Sequence, residues 1–390
     1  MTFDVARARA ETPGCAYVLH FNNAGAALQP DCVLDAVRGH LDLEARIGGY
    51  EAAAENDAGI EHAYDAVAAM LGCHRDEVAL VENATRGWDM AFYALRFGPG
   101  DRILTGQDEY ASNVIAFLQV ARRTGARVEV VPNDDHGQID LAALRGMIDD
   151  KVKLIALTHV PTNGGLVNPA AGVGAIARAA GVPFLLDACQ SAGQMPLNVD
   201  ELGCDMLSAT GRKFLRGPRG TGFLYVRRAW IERLDPPFLD LHAADWSARD
   251  AYEIRKDARR FENWESFVAG RVGLGVAVDY ALAWGLAPIQ ARVTELAARL
   301  RAQLSDLKGV QVHDLGETRC GIVTFTKAGE PAEATKARLR ALAINTSVTG
   351  RSSTRYDMEA RGLEDIVRSS VHYYNTEDEI GRFCAALANG

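Results

Sequence analysis

Several residues between positions 78 and 226, with one arginine near the end of the chain, have types and spacings that could do chemistry together. Lys213 follows the β-rich run 206–209 and precedes the glycine-rich Arg216-Gly-Pro-Arg-Gly-Thr-Gly222. A lysine at a strand end among glycines can bring its amine to a carbonyl, and desolvation lowers its pKa toward the nucleophilic form. Alone it would read as a solvated surface lysine. Asp187 closes the most apolar run of the chain, Val182-Pro-Phe-Leu-Leu-Asp187, where an ionised carboxylate is costly without a cationic partner. Its alternative role is a helix N-cap. Gln190, three residues on, can donate to a phenolic oxygen. Ala84-Thr85-Arg86-Gly87 lies between a strand and a helix, so its backbone N–H groups and the Thr85 hydroxyl can hold a phosphate at the positive helix terminus. Thr210 and Arg212 are further phosphate ligands by position. Tyr110 can stack on a flat ring, with an aromatic packing residue as the alternative. Arg368, in the apolar Val367-Arg-Ser-Ser-Val-His-Tyr-Tyr374, must find an anion, and a substrate α-carboxylate suits its bidentate fork.

An amine for an imine, an acid for a ring nitrogen, donors for a phosphate and a flat neighbour are together what pyridoxal 5'-phosphate requires. The candidates also fall where a doubly wound sheet places ligands, at the carboxyl ends of strands. The residues therefore predict that cofactor, tethered to Lys213, and an amino-acid substrate.

The elements that must position them alternate in type. Strand candidates cover 78–82, 102–106, 128–132, 154–159, 183–187, 206–209 and 222–226, with helices over 87–95, 113–124, 141–149 and 171–180. This pattern predicts an α/β fold built on a mainly parallel, doubly wound sheet. Beyond residue 228 an irregular, Trp-bearing segment (235–265) leads to one long helical run, 271–307, and then to a smaller α+β C-terminal domain. That domain has strands near 310–313, 321–326, 345–348 and 367–372 and a closing helix over 377–387. We divide the chain into an N-terminal segment, 1–30, packing with the small domain, a large cofactor-binding domain, 31–275, and the small domain, 276–390.

A formal net charge of -9, with Lys and Arg scattered, leaves no electrostatic footprint for nucleic acid or an anionic membrane. The sequence has no run of apolar residues long enough to span a bilayer and no signal-peptide pattern, so a cytoplasmic location is expected. Seven widely spaced cysteines, with no C-x-x-C pair, argue against disulfides or zinc. His74 beside Cys73 has no third ligand in the pattern, and no metal site is expected. Cys189 reads as a packing residue near the site, and His159 as either a core histidine or a substrate neighbour. Gly172-Val-Gly174-Ala-Ile-Ala177 matches a dinucleotide fingerprint, but a loop rather than a strand precedes it.

In order and spacing, Phe21-Asn-Asn-Ala-Gly25, Glu109-Tyr110, Thr158-His-Val-Pro-Thr-Asn163, Asp187-Ala-Cys-Gln190-Ser, Thr210-Gly-Arg-Lys213 and Val367-Arg368 resemble the class V aminotransferase family. This is the cysteine desulfurase-like branch of fold type I pyridoxal phosphate enzymes. The resemblance implies a homodimer with active sites at the interface. It also implies that Lys213 carries the cofactor, Asp187 pairs with the ring nitrogen, and Gln190 contacts the phenolic oxygen. Tyr110 would stack in place of the usual histidine, and Thr85, Thr210 and Arg212 would bind phosphate. Arg368 would hold the substrate carboxylate, with Asn23 and Ala24 close by. Thr162 or Asn163 would match the family's substrate-side asparagine; Asn163 enters our site set with Ala84 and Arg86 on the cofactor side.

Three departures bear on the reaction. The segment 346–359, where a desulfurase carries its persulfide-forming cysteine, has none. Arg212 replaces the phosphate-side histidine, and Phe261-Glu-Asn-Trp-Glu265-Ser266 stands where a neighbouring subunit's threonine usually reaches the phosphate. The chain is thus closer to the family's carbon–sulfur lyases, which work by β-elimination. Arg46-Ile-Gly-Gly-Tyr50 also resembles the ergothioneine-pathway sulfoxide lyases. An aminotransferase or an amino-acid epimerase would use the same residues.

Overall fold

Runs such as Val152–Thr158 and Phe184–Asp187 place apolar side chains at consecutive positions, so a strand built from them needs cover on both faces. The computed structural model, which describes residues 3–389, supplies that cover. Seven strands form the central sheet in the spatial order Val78–Val81, Gly222–Val226, Met206–Thr210, Phe184–Asp187, Val152–Thr158, Arg102–Thr105 and Arg127–Val130. Gly222–Val226 runs antiparallel to both neighbours, and the other adjacent pairs are parallel. The mainly parallel, doubly wound sheet read from the sequence is therefore present.

Alternation along the strands divides the core in two. Leu104, Ile155, Leu157, Phe184 and Leu186 pack on one face with Val173 and Ile176 of the helix Ala170–Ala180. Ile103, Leu154, Ala156 and Leu185 pack on the other with Trp88 and Phe92 of the helix Ala84–Phe92 and Phe117 of the helix Ala111–Thr124. Each such fully buried side chain contributes roughly 1.5–3 kcal/mol. Thr105, Thr158 and Asp187 come one position after Leu104, Leu157 and Leu186. The period of two therefore turns all three toward the face covered by Ala111–Thr124.

The C-terminal unit is a four-stranded antiparallel sheet, Val310–Val312, Ile322–Lys327, Ile366–Ser370 and Ser347–Thr349 in spatial order, backed by helices that include Ala332–Ala341 and Glu377–Ala388. The N-terminal segment adds to this unit. Leu19–His20 pairs in parallel with Ile344–Asn345, and Asn22 bridges to Ser370.

Four local expectations need correction. The run 271–307 is two helices, Val268–Trp284 and Leu286–Ser305, bent by 78° about Gly285, whose φ of +82° is left-handed and ends the first. Val268–Trp284 packs on Asp31–Ile47 and Asp57–Leu71, and Leu286–Ser305 packs on Glu377–Ala388. A division between 275 and 276 therefore cuts through one helix, and the change of direction comes at Gly285. The helices of 31–71 were not assigned from sequence, and the irregular 235–265 segment contains the hairpin Ala244–Ala248 and Ala251–Ile254. Lastly, the helix expected to start at Gly87 starts at Ala84, because the Asn83 carboxamide caps it by accepting from Arg86 N–H at 2.9 Å.

Candidate active site

The carboxyl ends of four sheet strands open on one cavity of about 150 Å³. Asn83, Ala84 and Thr85 border it after Val78–Val81, and Thr158, Val160 and Thr162 after Val152–Thr158. Asp187, Cys189 and Gln190 follow Phe184–Asp187, and Thr210, Arg212 and Lys213 follow Met206–Thr210. Tyr110 adds an aromatic wall. A second, wider cavity shares Tyr110, Thr162, Arg212 and Lys213 and adds Asn22, Ala24, Gly25, Thr349 and Arg368. The two form one cleft, with Asp187 and the helix start at its floor and Arg368 at its mouth.

Lys213 has no hydrogen-bond or ion-pair partner among the described residues. Burial lowers its pKa, Arg212 and Arg368 push the same way, and Cys189 and Asp187 oppose them. A free, easily deprotonated amine in a closed cleft is what imine chemistry needs. Asp187 is buried, and its two oxygens are held separately: Oδ1 accepts from Cys189 N–H at 2.9 Å and Oδ2 from Asn113 Nδ2 at 3.1 Å. No cation of this chain pairs with it among the described residues.

At the other end, Ala84 and Thr85 form the first turn of a helix whose axis ends on the cavity. The third amide of that turn, Arg86 N–H, is taken by Asn83. Thr210 Oγ1 donates to Thr221 O at 3.2 Å and borders the same space. Arg212 donates to Gly25 O, which anchors its guanidinium to the Asn22–Ala26 turn at the mouth. Gln190 Nε2 donates to Ala24 O at 3.2 Å, while its buried Oε1 has no partner among the described residues.

Arg368 is 9% exposed. It donates from Nε to Ser347 Oγ at 3.0 Å and from Nη1 to Thr162, and no carboxylate reaches it among the described residues. Burial pushes its pKa down to about 10, with Arg212 adding to the effect. A buried guanidinium without a counterion at the mouth of a cleft is an anion site.

Three sequence candidates are not in the cleft. Asn163 turns away: its Nδ2 donates to Gly350 O at 3.1 Å and its Oδ1 accepts from Thr349 Oγ1, so it pins the 349–350 segment, and Thr162 is the member of the pair that lines the site. The Arg86 guanidinium leaves for Asn263 Oδ1 at 2.8 Å and lies over the Phe238 ring, so it is not a phosphate ligand. Asn23 is fully buried, donating to Ser370 O at 2.7 Å and accepting from Tyr374 Oη, while Asn22 and Ala24 border the mouth. Side-chain direction in these turns follows local hydrogen bonds rather than a period. Sequence reasoning also missed Asn113 and treated Glu109 only as part of a motif. The alternation of Thr105, Thr158 and Asp187 on one face is the signal that would have found both.

An unpaired lysine amine, a buried aspartate without a cation, an orphaned Gln190 oxygen and a helix start on one cavity fit pyridoxal 5'-phosphate. The fold and site thus define a fold type I enzyme of the pyridoxal phosphate class. The model of the family described as aminotransferase class-V matches residues 19–383, and the chain belongs to this family of pyridoxal phosphate-dependent enzymes. A protein named probable cysteine desulfurase from Xylella fastidiosa (strain 9a5c) is 30% identical over 381 residues, covering 95% of this chain and 90% of that one. The apo structure of cysteine desulfurase from Thermococcus onnurineus NA1 superposes with a TM-score of 0.92 at 26% identity, covering 100% of this chain and 98% of that one. The cystine C–S lyase C-DES, in complex with its reaction product cysteine persulfide, shares the fold at a TM-score of 0.85 and 24% identity, covering 97% of this chain and 99% of that one.

Proposed function

We propose that the protein is a carbon–sulfur lyase that cleaves the Cβ–S bond of an amino acid by β-elimination, with no protein thiol carrying the sulfur. The observation that carries this reading is the thiol inventory of the cleft. The segment from Ser347 to Ala360 touches the site through Val348, Thr349 and Ser353 and contains no cysteine. Cys189, the thiol that lines the cavity, is pushed up to about 12 by burial and by Asp187, so it stays protonated and a poor nucleophile near neutral pH.

The chain's own residues then divide the work. Arg368, steadied by Thr162 and Ser347, takes the α-carboxylate in a bidentate grip and orients Cα toward Lys213. Lys213, whose pKa burial and two arginines lower, would hold the cofactor and, once freed, accept the Cα proton on Nζ. Asp187 would face the ring nitrogen and favour its protonated form. When bound, pyridoxal phosphate supplies an electron sink for the charge left at Cα. The electron pair of the broken Cα–H bond then forms a Cα–Cβ double bond as the sulfur leaves with the Cβ–S pair.

The protein loaded with pyridoxal phosphate should release pyruvate and ammonia from amino acids whose β-substituent is a thioether, persulfide or sulfoxide. Alanine as the product would make it a desulfurase instead. Accumulated pyridoxamine phosphate would make it an aminotransferase, and solvent deuterium in racemised substrate an epimerase. A homodimer belongs to the same proposal. Leu241, Trp246 and Tyr252 expose 61–81% of their surface on and beside the hairpin, a patch that a second copy would cover. Sedimentation at the monomer mass would remove that part.

A further inference from the structure

We infer that Glu109 and Asn113 are a positioning pair that holds the Asp187 carboxylate and the Tyr110 backbone against a bound cofactor from behind. The inference rests on pyridoxal phosphate occupying the cleft and not on which reaction follows. Glu109 lies between strands rather than in the cleft. It is 1% exposed and accepts five hydrogen bonds, one more than the roughly four lone-pair sites of a carboxylate. Oε2 takes Thr105 Oγ1 at 2.8 Å and Thr158 N–H at 3.1 Å. Oε1 takes Thr158 Oγ1 at 2.5 Å, Tyr110 N–H at 3.0 Å and Asn113 Nδ2 at 2.8 Å. The Asn113 amide nitrogen also lies 3.1 Å from Asp187 Oδ2, so one NH₂ group joins the two buried acids.

Each link follows from the fold. Thr105, Thr158 and Asp187 share one sheet face by alternation along three parallel strands. The helix Ala111–Thr124 starts over that face and brings Asn113 one turn from Glu109, and Tyr110, the N-cap residue, directly follows Glu109. The arrangement does two things. Asp187 has one oxygen fixed by Cys189 N–H and the other by Asn113, which leaves its remaining lone pairs aimed at the cavity. The backbone of Tyr110, which carries the aromatic wall, is tied to Glu109 and, at 3.3 Å, to Thr158 Oγ1. Neither Glu109 nor Asn113 borders the cavity, so both act through the residues that do.

Two variants of the full chain test this. Asn113→Leu keeps the branching and number of side-chain heavy atoms and removes the shared donor. Glu109→Gln places an amide NH₂ against N–H donors on whichever side it takes, so at least one of the three N–H groups loses its acceptor. For both, we expect the Kd for pyridoxal phosphate, titrated into apoprotein, to rise about tenfold, which is about 1.4 kcal/mol. In protein loaded with ¹⁵N-labelled cofactor, the ring nitrogen resonance should move toward its unprotonated position. The melting temperature of the apoprotein controls for folding, and if one variant fails to fold the other decides. Unchanged Kd and ¹⁵N shift in a folded variant overturn the inference, as does an effect confined to the apoprotein's melting temperature. Because neither readout uses turnover, failure of the lyase reading would leave this test intact.

Discussion

Arg368→Met isolates the anion site at the mouth of the cleft. Methionine keeps most of the length and apolar stem and removes the charge. In the free protein the guanidinium is buried without a counterion, and its pKa of about 10 against 12.5 corresponds to on the order of 3 kcal/mol disfavouring the charged form at 1.36 kcal/mol per decade. Replacing an uncompensated buried charge by an apolar side chain is neutral or stabilising. The ligand-free variant should therefore melt at or above the temperature of the parent. With substrate the sign reverses, because losing one partner of a buried charge pair costs roughly 2–5 kcal/mol. The KM should rise at least about 30-fold, with pyridoxal phosphate content unchanged. Steady-state kinetics, cofactor absorbance and a melting curve on the same preparation suffice. A normal KM would remove Arg368 from substrate binding. A lower melting temperature with loss of cofactor would make it a structural residue.

Lys213→Ala should abolish borohydride-trappable cofactor, and an unchanged adduct in that variant would move the attachment elsewhere. Cys189→Ser should keep turnover within about threefold, because a thiol held at about 12 is not ionised at neutral pH; a loss beyond tenfold would return a thiol to the mechanism. Arg212→Gln removes a positive neighbour that depresses Lys213, so the Lys213 pKa rises. The pH midpoint for attachment of pyridoxal phosphate to the apoprotein should shift to alkaline, and a shift to acid would contradict the electrostatics.

The sheet was legible in the sequence because a strand buried on both faces is written as an unbroken apolar run, and the residue that ends the run marks the carboxyl edge. Asp187 and Lys213 were found that way, and both border the cavity. Boundaries failed where one residue outweighed a pattern. Gly285 broke an otherwise continuous helical run, and the Asn83 side chain moved a helix start by a full turn, from Gly87 back to Ala84. Side-chain directions in turns were not legible: Asn23 and Asn163 lie beside site residues in sequence, yet their amides satisfy backbone groups elsewhere. The helices of 31–71 escaped because the motif read in this Ala-rich stretch, Arg46–Tyr50, says nothing of its helical period, and its partner, Val268–Trp284, lies two hundred residues on.

The pairing of the first residues with the last strands has a consequence for biosynthesis. Ala24 N–H donates to Ser370 Oγ at 2.8 Å and Ser370 N–H to Phe21 O at 2.8 Å, so the turn that supplies Asn22 and Ala24 to the mouth is seated on a strand made 346 residues later. While the ribosome still holds residue 370, this rim lacks that strand and rests on its bonds to Gln190 and Arg212, although the large sheet is already complete. The cofactor end of the cleft and its substrate rim would then be completed at separate stages of synthesis, the first before Ser370 has been made and the second only after it.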